Sequence, residues 1–260
     1  MTPVEAVVIV LAGLAAGTIN TIVGSGSLIT FPTLLAFGYS PVVANVSNTV
    51  GLVPGSISGA IGYRRELVGQ RSRSIRLGTV SVLGGLTGGV LLIALPESAF
   101  GRIVPLLILF AVVLVAVQPR LSRAMASRRD PEAREHPIAL FVTVYLTGIY
   151  GGYFGAAQGV ILIALLGIFL PDNLQRLNAV KNVLAALVNA AAAALFIVAP
   201  LLPGLGGLPR VDWSVALLLA LGSIVGGQLG AFVGRRFSPL LLRGLIVVVG
   251  TIVGVKLLIG

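Results

Sequence analysis

The sequence predicts an all-α polytopic membrane protein. Apolar residues make up 57% of its 260 residues and charged residues only 10%, and the mean hydropathy of +1.05 exceeds what a soluble fold tolerates. The apolar runs are continuous over about 18–25 residues, the length that a helix needs to cross a bilayer. They do not alternate with the period of two that is typical of outer-membrane barrels. We therefore expect helices that span a lipid bilayer.

The two halves of the chain correspond to each other at a nearly constant offset. Glycines and small polar residues of the first half, Gly17, Gly24, Ser47, Asn48, Gly84, Gly85 and Gly88, correspond in order to Gly152, Gly159, Lys181, Asn182, Gly226, Gly227 and Gly230. Only Lys181 gains a charge in this correspondence. The pattern indicates a duplicated unit, with a first transmembrane repeat at 1–118, a cytoplasmic linker at 119–136 and a second repeat at 137–260.

Each repeat is predicted to contain a broken-helix hairpin followed by three transmembrane helices. The hairpins occupy 3–38 and 137–170, and the spans lie at 42–63, 77–95 and 102–118 and at 176–199, 215–234 and 239–259. Each hairpin is too long for one ordinary span and short for two. Glycine-rich, weakly polar sequence interrupts both near the middle, at 20–27 and 151–159. We expect two short helices in each hairpin, with the tip inside the membrane.

The distribution of arginines predicts how the helices are oriented in the membrane. They concentrate in connectors 64–76 and 119–136 and at Arg235 and Arg236, whereas the opposite connectors hold only Arg102 and Arg210. The positive-inside rule then places the first set in the cytoplasm and both termini outside a bacterial inner membrane. The net charge of +10 is thus a topology signal, and no nucleic-acid partner is expected. Because each repeat makes three crossings, the repeats must be inverted, as in secondary transporters.

The two breaks are candidate anion sites. A glycine-rich break before a new helix leaves free backbone N–H groups and the positive end of the helix dipole. Ser25, Gly26 and Ser27 precede one such helix, and Gln158 precedes the other. The alternative is that these glycines only allow helices to pack closely. Packing is the preferred interpretation for the glycine clusters at 84–89 and 226–230.

Polar side chains follow each hairpin, in the next predicted span. Asn48 lies in the first such span, and Lys181, Asn182 and Asn189 lie in the second. A lysine at the centre of a bilayer costs about 2.5–3.5 kcal/mol on insertion scales, so Lys181 is a candidate functional residue. The alternative is that its side chain extends towards the cytoplasmic surface. For Asn189, an interhelical hydrogen bond is a sufficient explanation.

The missing residue types restrict the chemistry further. No carboxylate falls at a central membrane position, which disfavours binding of a coupling cation. The chain has no cysteine, and its single histidine, His136, lies in a charged loop, so we expect no metal, no cofactor and no enzyme active site. One lysine, several amides and two helix N-termini suit a small oxyanion, whose oxygens accept several hydrogen bonds at once.

Several motifs resemble the TauE/SafE sulfite exporter family of bacterial permeases. In the first half they are the stretch at 13–32, Asn-Val-Ser-Asn-Thr at 45–49, Pro-Gly-Ser at 54–56 and Tyr-Arg-Arg-Glu at 63–66; in the second half they lie at 150–155 and 178–182. The resemblance implies transport of sulfite, organosulfonates or related sulfur-containing anions. Serines flank Gly26 here, where a glycine pair often stands in the family, so the individual substrate stays open.

The leading hypothesis is a transporter that exports a small sulfur oxyanion or organosulfonate by alternating access around a central site. The candidate binding residues are Asn20, Ser25, Gly26, Ser27, Asn48, Gln158, Lys181 and Asn182. An anion channel, an ion-coupled uptake permease for the same substrates and an intramembrane enzyme are the alternatives. A homodimer is compatible with the sequence but is not indicated by it.

Overall fold

A computed structural model describes residues 1–127, 137–205, 207–234 and 240–259. Over these residues the chain forms helices and no strand. The ten α-helices are α1 (Pro3–Ile22), α2 (Ser27–Ala36), α3 (Pro41–Gly62), α4 (Arg71–Ala94), α5 (Glu97–Ser127), α6 (Pro137–Tyr153), α7 (Gln158–Phe169), α8 (Leu174–Val198), α9 (Trp213–Val233) and α10 (Leu240–Ile259). Five of the described helices, α1, α4, α5, α8 and α9, are long and apolar enough to cross a membrane. The all-helical membrane fold is thereby confirmed.

Local sequence explains where several helices begin. Thr2 and Glu5 form a capping box at α1, with Pro3 in the first helical turn. The side chain of Asn173 accepts a hydrogen bond from the Arg176 N–H at 2.9 Å and so caps α8. Asp212 caps α9 in the same way. These side chains satisfy N–H groups that a helix N-terminus leaves without a backbone partner.

Both predicted hairpins are present, with breaks at 23–26 and 154–157. Gly24 and Gly155 have φ of +90° and +77°, in the left-handed region that glycine adopts without strain. After the first break the chain folds back, so that Gly26 lies against the backbone of Ala16. The two helices of the first hairpin differ in length, however. We expected two short helices, but α1 has 20 residues and is long enough to cross a membrane.

Close glycine contacts join helices from opposite halves of the chain. Helix α1 packs along α9, where Gly17 meets the backbone of Ser223 and Gly227. The corresponding pair is α6 and α4, where Gly152 meets the backbone of Gly85. A Cβ at Gly17 or at Gly152 would overlap the backbone of the facing helix. The packing role predicted for the glycine clusters is confirmed.

The helices form two packing groups that mix the halves. The first group contains α1, α3 and α9, and the second contains α4, α6 and α8. Helices α3 and α8 pack on each other and join the groups, while α5 packs against α10. The aromatic rings of Phe31, Phe100 and Phe154 form edge contacts beside the breaks, with the centroids of Phe31 and Phe154 5.3 Å apart. The two halves therefore interlock instead of forming separate bodies.

Helix α5 extends beyond the predicted span at 102–118. It continues through Ser127, into the first part of the predicted linker at 119–136, because most residues after Pro119 are good helix formers. Residues 128–136, including His136, lie outside the described residues, as do Arg235 and Arg236.

Candidate functional site: a polar cavity at the helix breaks

The two helix breaks touch each other. The N–H of Gly159, in the first turn of α7, donates a hydrogen bond of 3.1 Å to the carbonyl oxygen of Gly24 in the first break. A Cβ at either glycine would overlap the Cα of the other. Only glycine fits at both positions, because the backbones are in direct contact. This contact brings the N-terminal ends of α2 and α7 towards one point.

A small polar cavity lies beside this contact. It is lined by Asn20, Thr21, Gly24, Ser27, Ser56, Gly155, Gln158, Gly159, Asn182, Ala185 and Asn189. About 20 Å³ is available to the centre of a water-sized sphere. One water needs about 10–15 Å³ by that measure, so the cavity accommodates one or two waters and no polyatomic anion. A larger ligand can enter only after the helices around the cavity move apart.

Gln158 is the least satisfied donor of the cavity. Its side chain is 3% exposed, and its Nε2 has no hydrogen-bond partner among the described residues. The amide lies against Gly151, where any side chain would overlap it. A buried amide without a partner costs about 1–3 kcal/mol, which a ligand oxygen would recover. Gln158 is thus placed, as predicted, at the start of α7 with a free donor beside the cavity.

The amide side chains of Asn182 and Asn189, both on α8, line the cavity together with Gln158. The Nδ2 of Asn182 donates to the carbonyl oxygen of Thr21 at 3.3 Å, and the Nδ2 of Asn189 donates to the Oγ of Ser56 at 3.4 Å. Both bonds are long for N–H donors. The interhelical hydrogen bond expected for Asn189 is confirmed, but Asn189 also lines the cavity.

The predicted polar residues around the first break are engaged with each other. The Oδ1 of Asn20 accepts a hydrogen bond of 2.6 Å from the Gly26 N–H. Asn48 donates to the Oγ of Ser27 at 3.2 Å and accepts a hydrogen bond from Thr30. Gly26 therefore does not offer a free N–H, in contrast to the predicted anion cradle. Asn20, Ser27 and Asn48 hold the start of α2 in place.

Ser25 and Lys181 do not line the cavity in this structure. Ser25 is buried, and its Oγ has no partner among the described residues. Lys181 is 1% exposed, so the alternative in which it extends towards the cytoplasmic surface is wrong. Its Nζ contacts the carbonyl oxygens of Asn20 and Thr21, two residues that do line the cavity.

Lys181 closes the C-terminal end of α1. Its Nζ donates to the carbonyl oxygens of Asn20 at 2.9 Å and Thr21 at 3.2 Å, and the amides of Asn178 and Asn182 also donate to the Thr21 oxygen. These carbonyls lack helical partners because α1 ends at the break, and they form the negative end of its dipole. At the second break, the hydroxyl of Tyr150 donates to the Ala156 carbonyl oxygen at 2.6 Å. The two breaks are therefore stabilised by different residue types.

Three lining residues with polar side chains were not among the predicted ligands: Thr21, Ser56 and Asn189. Ser56 belongs to the Pro-Gly-Ser motif at 54–56, and its place on a largely apolar helix is the one signal that could have identified it. The buried side chains among the described residues include one charged group, Lys181, and no carboxylate.

Comparison with known proteins agrees with the architecture. The family described as sulfite exporter TauE/SafE matches residues 9–257. The probable membrane transporter protein YfcA of Escherichia coli K12 is 27% identical over 259 residues, covering 99% of this chain and 91% of the relative. A probable membrane transporter protein of Haemophilus influenzae is 29% identical over 246 residues, covering 94% and 91%. No solved structure matches the chain.

Proposed function

Because the chain belongs to the TauE/SafE sulfite exporter family and is a membrane transporter, we propose that it exports a small sulfur-containing anion of the sulfite or organosulfonate class. Transport would proceed by alternating access around the cavity at the helix breaks. The family description supports the substrate class. The cavity is small, so it must widen on one side or the other to admit substrate.

The free Nε2 of Gln158 is the observation that carries this proposal. It adds a donor at the positive end of the α7 dipole, beside the amides of Asn182 and Asn189. A sulfonate or sulfite presents several acceptor oxygens, which suits a wall of donors. Lys181 contributes positive charge from behind this wall, where it offsets the negative end of α1.

The directions of the helices support inverted repeats. Contacts between α1 and α9 advance along both helices together, from Gly13 with Leu219 to Thr18 with Gly230. Helix α3 runs parallel to α9 in the same way, so all three helices of the first packing group share one direction. The contacts between α4 and α6 and between α4 and α8 follow the same pattern, so these three helices also run parallel to one another. Each packing group therefore has a single direction.

The connector between α3 and α4 relates the two directions. Gln70, at the start of α4, donates from its Nε2 to the carbonyl oxygen of Arg176 at 3.2 Å, so α4 and α8 begin at the same end. Helix α3 ends there, because only a short connector separates it from α4. The first packing group thus runs opposite to the second, and α1 runs opposite to its counterpart α6. This is the relation that inverted repeats require.

The packing groups are the proposed moving bodies. Ser56 belongs to the first group, and Asn182 and Asn189 belong to the second, so the cavity lies at their junction. Rocking of one group against the other would open the cavity to alternate sides of the membrane. Each sequence repeat contributes helices to both groups.

The proposed direction of transport follows from energetics. The arginine-rich ends of α4 and α8 mark the cytoplasmic side of a bacterial inner membrane, with both termini outside. With a negative interior, each negative charge that leaves the cell gains about 2.3 kcal/mol per 100 mV. No carboxylate is buried among the described residues to bind a coupling cation. Uncoupled export is therefore favoured over ion-coupled uptake.

Calorimetric binding to the purified protein tests the substrate class. Sulfite, sulfate, thiosulfate, sulfoacetate and taurine are titrated into the wild type and into Gln158→Leu. We expect at least one sulfur oxyanion to bind and Gln158→Leu to weaken it about tenfold, the effect of one hydrogen bond to a charged group. Gln228→Leu removes an amide that bonds to Ser58 outside the cavity and is the matched control. Equal affinity in both variants would contradict the role of Gln158.

A further inference from the structure

A second cavity lies where α4 and α8 begin and α7 ends. Its volume is about 340 Å³, enough for a polyatomic ligand without rearrangement. Arg73, Arg76 and Arg176 line it together with Asp172, and Phe141 and Phe169 contribute to an apolar wall. It is separate from the transport cavity, with which it shares no lining residue.

Ion pairs hold two of these arginines in place. The Nη1 of Arg73 lies 2.8 Å from one carboxylate oxygen of Asp172, and the Nε of Arg176 lies 2.9 Å from the other. Gln70, which is buried, accepts a hydrogen bond from Arg73 at 2.8 Å. The guanidinium groups are therefore positioned before any ligand arrives, which lowers the entropic cost of binding.

The cavity carries an excess of positive charge. Burial opposes ionisation of Asp172, but hydrogen bonds from Arg73, from the Asn173 N–H and from Arg176 outweigh it, and they lower the pKa of its carboxyl group. Three arginines thus face a single negative charge. Arg76 is exposed and makes no hydrogen bond or ion pair within the described part of the chain. Two positive charges remain to be balanced by a ligand.

The arginine side chains on one wall of the cavity and the apolar side chains on the other together favour an amphiphilic anion. Arg73 and Arg76 lie at the start of α4, and Arg176 lies at the start of α8. Leu77, Leu140 and Leu170 are buried beside the cavity. Arginine guanidinium groups match the oxygens of a phosphate in bidentate geometry. A small inorganic ion would leave the apolar wall uncovered, whereas a lipid would cover it with its glycerol and first methylene groups.

We propose that this cavity binds the phosphate headgroup of an anionic phospholipid. Arg73, Arg76 and Arg176 bind the phosphate oxygens, and Phe141 and Phe169 contact the glycerol end of the acyl chains. Basic pockets between transmembrane helices on the cytoplasmic side take such headgroups. The bound lipid stabilises the junction of α4, α7 and α8.

Thermal unfolding and native mass spectrometry of the full chain in detergent test this site. Phosphatidylglycerol, phosphatidylcholine and inorganic phosphate are added separately to the wild type and to Arg76→Gln, which breaks no contact seen in the described residues. Arg65→Gln, on the neighbouring connector and outside the cavity, is the matched control. We expect phosphatidylglycerol alone to stabilise the wild type and Arg65→Gln, and to bind about tenfold more weakly to Arg76→Gln.

Two outcomes would overturn the proposal. One is an equal response of Arg76→Gln and Arg65→Gln to phosphatidylglycerol. The other is stabilisation by inorganic phosphate as strong as by the lipid and lost in Arg76→Gln, which would assign the cavity to a free oxyanion. Neither readout depends on transport, so failure here is distinguishable from failure of the proposed function.

Discussion

The Nζ of Lys181 lies 2.9 Å from the carbonyl oxygen of Asn20. This hydrogen bond joins a helix of the second half to the broken end of α1 in the first half. It accounts for a fully buried lysine without a carboxylate partner, because the end of a helix carries a partial negative charge of about half an elementary charge. The first break is thus held by a residue far away in the sequence, and the second by the nearby Tyr150.

Replacement of Lys181 by Met should destabilise the protein. The change leaves the carbonyl oxygen of Asn20 without a partner, at a cost of about 1–3 kcal/mol, whereas the Thr21 oxygen keeps the amides of Asn178 and Asn182. We expect a lower melting temperature and reduced transport together. Tyr150→Phe is the matched control at the second break and should lose about 1 kcal/mol. If Lys181→Met lost transport with an unchanged melting temperature, Lys181 would be a direct substrate ligand and not a helix cap.

Substitution of Gly24 by Ala should prevent the two breaks from meeting. Gly24 has φ of +90°, and an added Cβ would overlap Gly159. Gly38 has a similar φ of +85° but nothing within 4 Å of its Cβ direction, so Gly38→Ala isolates the backbone strain of about 1–2 kcal/mol. We expect Gly24→Ala to lower the melting temperature and the yield of folded protein far more. Equal effects of the two substitutions would show that the contact with Gly159 is unimportant.

The ion pairs of Asp172 predict a weak dependence of stability on acid pH. Arg73 and Arg176 lower the pKa of its carboxyl group in the folded protein. The stabilisation is therefore present above the unfolded-state pKa of about 3.9 and is lost as the pH falls through the lower folded-state value. Because the partners are partly exposed, we expect at most about 1 kcal/mol. The melting temperature of Asp172→Asn should be lower than that of the wild type at pH 7 and should converge with it as the pH falls below the lowered folded-state pKa. A difference in melting temperature between the wild type and Asp172→Asn that stays constant with pH would contradict this prediction.

A reversible cross-link between α3 and α8 should stop transport. Ser56 and Asn189 are hydrogen-bonded to each other in the cavity wall and belong to different packing groups. The chain has no native cysteine, so Ser56→Cys with Asn189→Cys can be joined by a short bifunctional thiol reagent. We expect flux to cease on cross-linking and to return on reduction. Undiminished flux in the cross-linked protein would exclude relative motion of these groups.

Much of the helical architecture could be predicted because its signals are local. The glycine-rich stretches at 20–27 and 151–159 contain the observed breaks at 23–26 and 154–157. Arginines and continuous apolar runs gave the approximate limits of the other helices. The extension of α5 was missed because charged residues after Pro119 resembled a solvated loop, although most of them are good helix formers.

The contacts of the site depend on tertiary packing and could not be predicted. The sequence identifies Lys181 as an expensive buried charge, but not the carbonyl oxygens of Asn20 and Thr21 as its partners. Those carbonyls become available only where α1 ends beside α8. Ser56 and Asn189 likewise come together only through the packing of α3 on α8. The place of Gln158 at a helix start was predicted correctly, because it follows a break visible in the sequence, but its lack of a hydrogen-bond partner could not be predicted.

Voltage-driven flux in proteoliposomes tests whether the protein exports sulfite without a coupled ion and through Gln158. Vesicles loaded with sulfite and containing the wild type or Gln158→Leu are given a potassium diffusion potential, and efflux is recorded at equal pH and sodium on both sides. We expect efflux from the wild type to rise as the interior becomes more negative, and efflux to fall about tenfold in Gln158→Leu. Efflux that ignores voltage and requires a proton or sodium gradient would contradict this expectation.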